Sequence, residues 1–140
     1  VPPTRSFRSD GRLTVARSQD LPGRCVDAVR AALKEEGSIG VIAADAATDL
    51  LAAALQLEGI ETMQIDTMRT DTLPEGDGRV AVVPATLAKG LEYDHVVVME
   101  PAEIVEAEER GLNRLYVVLT RAVSRLDVLH HRDLPPLLEG

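Results

Sequence analysis

Short apolar runs alternate along this chain with stretches in which apolar residues return every three or four positions. The runs are Leu13, Val15 and Ala16, then Ile39 to Ile42, Ile60 to Ile65, Arg79 to Val83, His95 to Met99, and Arg125 to His130. They predict strands, and those made almost wholly of Val and Ile predict strands covered on both faces of a parallel sheet. Between the first two runs Val26, Val29 and Leu33 recur at helical spacing. Asp20 suits the N-cap of that helix, Pro22 its first turn and Gly37 its end. Asp45 likewise predicts the cap of a second helix, with Leu50, Leu51, Ala54, Leu55 and Leu57 as its apolar face and Gly59 at its end. Asp66 to Gly78 holds Pro74, Gly76 and Gly78 and reads as a loop. Pro101 to Gly111, rich in Glu, reads as a surface helix or loop, and Leu112 to Val123 as a helix. Residues 1–12 place Arg5, Arg8 and Arg12 around Phe7 in an extended basic lead-in. Helices alternating with buried strands predict a three-layer α/β domain with a mostly parallel sheet.

Length and composition narrow the function classes. At 140 residues the chain is expected to be one domain, 1–140, able to bury roughly 68–70% of its unfolded surface. Cys25 is the single cysteine, which excludes an internal disulfide and favours a cytoplasmic origin; on a helix it reads as a small core residue. No apolar run approaches the ~20 residues of a membrane span. The chain opens Val1 Pro2 Pro3 without methionine, which suggests a piece of a longer polypeptide. A formal charge of -8 and a pI near 4.8 argue against a free-standing nucleic-acid binder, because neutralising phosphates needs clustered Lys and Arg. Aromatic content of 2%, namely Phe7, Tyr93 and Tyr116, excludes a base-stacking platform built from this chain alone. His95, His130 and His131 show no ligand spacing with a cysteine pair, and the adjacent His130 and His131 are expected on opposite faces of a strand, so no metal site is expected. Nowhere does the chain read Gly-x-x-x-x-Gly-Lys-Ser/Thr, the loop whose amides wrap nucleotide phosphates.

Two segments concentrate the chemistry. From Pro84 to Asp94 the chain leaves one strand, turns through Gly90 and enters another, carrying the Thr86 hydroxyl, the Lys89 charge and the Glu92 carboxylate in a short span. Loops beyond strand ends are where ligands sit in open α/β sheets. On spacing alone, Lys89 and Glu92 serve equally well as solvated charges and Gly90 as an ordinary turn. In the second segment, Asn113 to Ala122, Arg114 and Arg121 are seven apart and fall on one face of the expected helix. An amphipathic helix with its arginines in water explains that pattern too.

Together the segments resemble the fifth and sixth motifs of superfamily 1, UvrD/Rep-like, helicases. Ala88 Lys89 Gly90 Leu91 Glu92 Tyr93 Asp94 is similar to the family's Lys-Gly-Leu-Glu-aromatic core. Leu115 Tyr116 Val117 Val118 Leu119 Thr120 Arg121 Ala122 is similar to its Tyr-Val-x-Leu-Thr-Arg-Ala sequence. The resemblance covers little more than a third of the chain, within 79–130, and implies the second of two RecA-like lobes, the one that closes over ATP bound mainly by the first. It implies an arginine finger at Arg121, ATP contacts from Gly90, Glu92, Arg114 and Arg121, and nucleic-acid contacts from Thr86 and Lys89. Thr86 stands where these helicases usually have His. Gly37 to Ala43 resembles the strand that opens this lobe, and the family's fourth motif is absent. The layout is closer to the helicase IV and RNA-polymerase-associated branch than to full UvrD. The implied cofactor is ATP with Mg²⁺, and the implied partners are an N-terminal RecA-like lobe of the same polypeptide and a single-stranded nucleic acid. Two alternatives are compatible with the residues. One is a non-catalytic module presenting its acidic surface to a protein such as RNA polymerase; the other is a stand-alone small-ligand α/β domain.

Overall fold

The structure, a computed structural model, describes residues 12–64 and 80–135. Strands β1 (Arg12–Arg17), β2 (Ile39–Ala43), β3 (Thr62–Gln64), β4 (Val80–Pro84), β5 (Tyr93–Met99) and β6 (Ala122–His130) form one sheet in the order β1-β6-β5-β2-β4-β3. Every pairing is parallel. Because side chains alternate across a strand, each central strand feeds two cores. Ile39, Val41, Val80, Val82 and Val97 face the helices α1 (Leu21–Leu33) and α2 (Thr48–Leu57), meeting Cys25, Val29, Leu51 and Leu55. Ile42, Val83, Val96, Val98, Leu126 and Val128 face α3 (Pro101–Glu106) and α4 (Gly111–Leu119), meeting Ile104, Leu115 and Val118. The expected three layers and parallel sheet are thus observed. No helix among the described residues is long and apolar enough to cross a membrane.

The start of the first helix follows its sequence signals. Asp20 caps it by accepting from the Gly23 amide at 3.1 Å, and Pro22 lies in the first turn, where its missing donor costs nothing. Its end does not: the helix stops at Leu33 with Lys34 at its C-cap, so Gly37, expected to end it, lies beyond it. Cys25 is fully buried among the helix's core residues, and burial pushes its thiol up to about 12.

Four further expectations are corrected. Asp45 does not cap α2: it opens a 3-10 turn, Asp45–Ala47, and its carboxylate bonds Thr86, while Thr48 starts the helix by donating its hydroxyl to the Asp45 carbonyl at 3.1 Å. Leu50 and Leu57 are 79% and 86% exposed, because at 100° per residue they lie on the side of α2 opposite the buried stripe of Leu51, Ala52 and Leu55. The helix expected over Leu112 to Val123 ends at Leu119, and β6 begins at Ala122, drawn into pairing with Tyr93. Arg121 therefore lies past the helix and shares no helical face with Arg114. His131 lies beyond β6, so it and His130 do not sit on opposite faces of one strand. The surface expectation for Pro101 to Gly111 is met only in part, since α3 buries Pro101, Ala102 and Ile104. The loop Asp66 to Gly78 and nearly all of the basic lead-in lie outside the described residues.

The connection from β4 to β5 positions the site. Most crossovers between parallel strands use an α-helix; here residues 85–92 make a 3-10 turn, Ala85–Leu87, and a turn at Gly90, whose φ of +87° is left-handed. Ala85 and Ala88 are buried and Leu87 and Leu91 partly so, all against the α4 side of the sheet. Because β4 and β5 run parallel, this segment starts at the carboxyl edge of the sheet and finishes at its amino edge.

Candidate functional site

Of the six singled-out residues, four divide between the two edges and two lie on the crossover that joins them. At the amino edge Glu92 precedes β5 and Arg121 precedes β6. The Tyr93 amide donates to the Arg121 carbonyl at 3.0 Å, so these two positions start neighbouring strands side by side. Arg121 is partly buried. Its Nε donates to the Val117 carbonyl at 3.1 Å and its Nη2 to the Thr120 hydroxyl at 3.1 Å, while that hydroxyl donates to the Val117 carbonyl at 2.8 Å. A cation there also suits the helix C-terminus, where carbonyls lack partners. A guanidinium has five donors, so among the described residues the two anchors leave the rest for another acceptor. Glu92 is exposed and makes no hydrogen bond among the described residues. Tyr93 packs its ring over Gly40, where any Cβ would collide with it, and burial pushes its phenol up.

The carboxyl edge holds a second group. Thr86 donates its hydroxyl to Asp45 Oδ2 at 2.5 Å and its amide to Asp45 Oδ1 at 3.2 Å. Arg114 Nη1 donates to the Thr86 carbonyl at 3.4 Å, and its Nε reaches Glu108 Oε1 at 3.3 Å. Arg114 thus belongs with Thr86, away from Glu92 and Arg121. Lys89 and Gly90 are exposed on the crossover between the two edges, and Lys89 has no partner among the described residues.

Sequence reasoning missed Asp45 as a member of the site. The signal was present: Ala43 pairs with Pro84, so Asp45 and Thr86, each two positions further on, leave neighbouring strands at the same height. Its reading as a helix cap obscured that.

The remaining polar features do not converge on chemistry. His95 Nε2 lies 3.0 Å from the Glu36 carbonyl and His130 Nδ1 lies 2.7 Å from the Arg132 carbonyl, both buried. No group of three or more His, Cys, Asp or Glu able to hold a metal ion occurs among the described residues. One groove lies between α1 and α2, lined by Asp20, Asp27, Arg30 and Leu57. Another, beyond β1 and β6, is lined by Arg17, Glu106, Arg132 and Asp133, whose charges pair with one another. Arg132 holds the Glu106 carboxyl below its usual range. Neither groove is lined by any of the six residues.

Comparison with known proteins bears on the fold. Over 92% of its length the chain is similar, at 29% identity and a TM-score of 0.69, to the C-terminal domain of a possible DNA helicase from Lactobacillus plantarum WCFS1, spanning 78% of that chain. Arterivirus nonstructural protein 10, a helicase, shares the fold in a complex with DNA, at a TM-score of 0.58 and 16% identity. A second structure of that protein gives 0.57 and 15%. The chain spans about 30% of the length of those viral chains. No protein-family model matches the chain, and no curated protein matches it by sequence.

Proposed function

We propose that this helicase-related domain is the C-terminal motor lobe of an ATP-dependent superfamily 1 helicase or translocase, acting in the cytoplasm on single-stranded nucleic acid, most directly DNA. An N-terminal RecA-like lobe of the same polypeptide holds most of the ATP and Mg²⁺ contacts in this reading. The observation that carries it is that Glu92 and Arg121, from motifs far apart in sequence, stand just ahead of neighbouring strands at the amino edge, where the Tyr93 amide bonds the Arg121 carbonyl. The donor set fits an anionic nucleotide. Among the described residues Arg121 keeps unused donors; its planar fork suits two phosphate oxygens, and it stays charged at any physiological pH. Glu92 offers an exposed carboxylate to ribose hydroxyls, and Gly90 leaves room beside it, with nothing within 4 Å of where a Cβ would stand.

Division of labour follows from the two edges. Arg121 and Glu92 act on the nucleotide, with Arg121 as the finger; such fingers contribute about 10³ to 10⁵ in turnover in other nucleotide hydrolases. Thr86 contacts the strand at the opposite edge, and Lys89 adds a charge on the crossover that joins the two. Arg114, read from the sequence as an ATP contact, is reassigned as the residue that holds the Thr86 loop. The crossover then links strand occupancy to nucleotide occupancy through one short packed segment. ATP hydrolysis by the full-length polypeptide, measured with and without a single-stranded oligonucleotide, tests the reading. Strand-stimulated hydrolysis supports it; none under either condition favours a non-catalytic module docking on a protein such as RNA polymerase.

A further inference from the structure

Thr86 is the residue proposed above to meet a strand phosphate, and both of its donors are already taken. Its hydroxyl and amide bond the two carboxylate oxygens of Asp45, at 2.5 Å and 3.2 Å. A carboxylate presenting two oxygens to two donors on one residue satisfies them as two non-bridging oxygens of a phosphodiester would. The hydroxyl and the amide each carry a single hydrogen. They cannot serve Asp45 and a phosphate at once.

Asp45 also meets the conditions for leaving. Both it and Thr86 are exposed, so a released carboxylate returns to water. The turn that carries Asp45 is held independently of its side chain, by the Thr48 hydroxyl on the Asp45 carbonyl at 3.1 Å and by the Ala47 amide on the Ala44 carbonyl at 2.8 Å. The Thr86 loop has its own support in the Arg114 guanidinium on the Thr86 carbonyl and the buried Ala85 and Ala88. Arg114 adds the one cationic group bonded to this loop among the described residues, and its partner Glu108 is partly exposed.

The geometry points to Asp45 as an internal phosphate mimic that masks the strand-contact donors of Thr86, so that a phosphodiester engages this edge only by displacing the carboxylate. The inference rests on the assignment of Thr86 to the strand. It makes Asp45 an antagonist of strand binding, the reverse of what a residue that merely positions the loop does. Masking of this kind raises the threshold for occupancy: isolated phosphate groups are rejected by competition and repulsion, whereas a continuous strand held elsewhere on the enzyme displaces Asp45.

The test uses the chain 1–140 at about 10 mM salt, where charge effects extend to about 30 Å. Fluorescence anisotropy with a single-stranded oligothymidylate compares the unsubstituted chain, Asp45→Asn, and Asp27→Asn as a control for net charge. The amide resonance of Thr86 is followed during titration with dimethyl phosphate. Masking predicts that Asp45→Asn binds the oligonucleotide at least threefold more tightly than Asp27→Asn does. Adding Thr86→Val removes the gain, and the Thr86 resonance responds to dimethyl phosphate only when Asp45 is substituted. Asp45→Ala, which removes both acceptors, gives the same direction if Asp45→Asn folds poorly. Binding by Asp45→Asn that is equal to or weaker than the control's overturns the inference, as does a gain that survives Thr86→Val. Strand-stimulated hydrolysis by full-length Thr86→Val separates the two levels. If that stimulation is lost while Asp45→Asn shows no gain, masking alone fails; if it persists unchanged, the strand assignment of Thr86 fails and masking falls with it.

Discussion

The amide of Tyr93 donates to the carbonyl of Arg121 at 3.0 Å, which sets the residue before β5 beside the residue before β6. The bond fixes backbones; the Arg121 side chain is fixed separately, by the Val117 carbonyl and the Thr120 hydroxyl. Thr120→Val keeps the shape of the residue and removes that hydroxyl. A hydrogen bond of this kind contributes about 1 kcal/mol net, so full-length Thr120→Val is expected to hydrolyse ATP severalfold more slowly while its unfolding free energy falls by no more than about 1 kcal/mol. Steady-state hydrolysis and urea unfolding check the two halves.

Two glycines differ in why they are needed. Gly90 has φ +87° and open space around it, so Gly90→Ala meets only the backbone penalty, about 1–2 kcal/mol. Gly40 lies under the Tyr93 ring, and Gly40→Ala must displace that ring, at about 1–3 kcal/mol typical of overpacking. Urea unfolding is expected to show both losses, with the Tyr93 resonances shifting in Gly40→Ala and staying in place in Gly90→Ala.

The central strands β2, β4 and β5 were legible because they are short runs rich in Val and Ile, of the kind a parallel sheet covered on both faces accommodates. The start of α1 was legible because Asp20 and Pro22 act within one turn of the helix. What escaped were features decided by partners distant in sequence. Asp45 is an ordinary N-cap by local rules, and it bonds Thr86 because β2 and β4 pair in register. Leu50 and Leu57 fit a helical stripe as well as Leu51 and Leu55 do, and only the docking of α2 selects the latter pair. Arg114 and Arg121 look equivalent on a long helix, until pairing of Ala122 with Tyr93 ends that helix early and sends them to opposite edges. The resemblance to helicase motifs named the candidate residues, yet their separation into two edges needed the parallel crossover.

Cys25 supplies a pH dependence. Burial raises its thiol from 9.0 to about 12, so the folded chain holds the proton that an unfolded chain releases. The stabilisation is complete below pH 9 and is lost as pH rises from 9 toward 12. Unfolding midpoints are expected to fall across that window, less so in Cys25→Ala after allowing for its own cavity. At pH 8 iodoacetamide is expected to leave Cys25 unmodified until denaturant is added, because the thiolate is the nucleophile and the buried group is a thiol.

The chain by itself is expected to hydrolyse no ATP above buffer and to bind MgATP no better than millimolar. One arginine and one carboxylate do not replace a loop of amides that cradles phosphates. Calorimetric titration of residues 1–140 with MgATP decides this, and a micromolar dissociation constant would contradict the division of the site between two lobes.

The proposed role of Arg121 in completing the ATP site is open to one direct measurement. The measurement is strand-stimulated ATP turnover by the full-length polypeptide carrying Arg121→Lys, alongside the affinity of the same protein for a fluorescent ATP analogue. Lysine keeps the charge but loses the planar fork, and a contact that matters most in the transition state lowers turnover without weakening binding. The predicted result is at least a tenfold fall in turnover, with analogue affinity within twofold of the unsubstituted protein and a milder effect for Arg114→Lys. Unchanged turnover in Arg121→Lys, or equal mild effects of the two substitutions, would contradict the assignment.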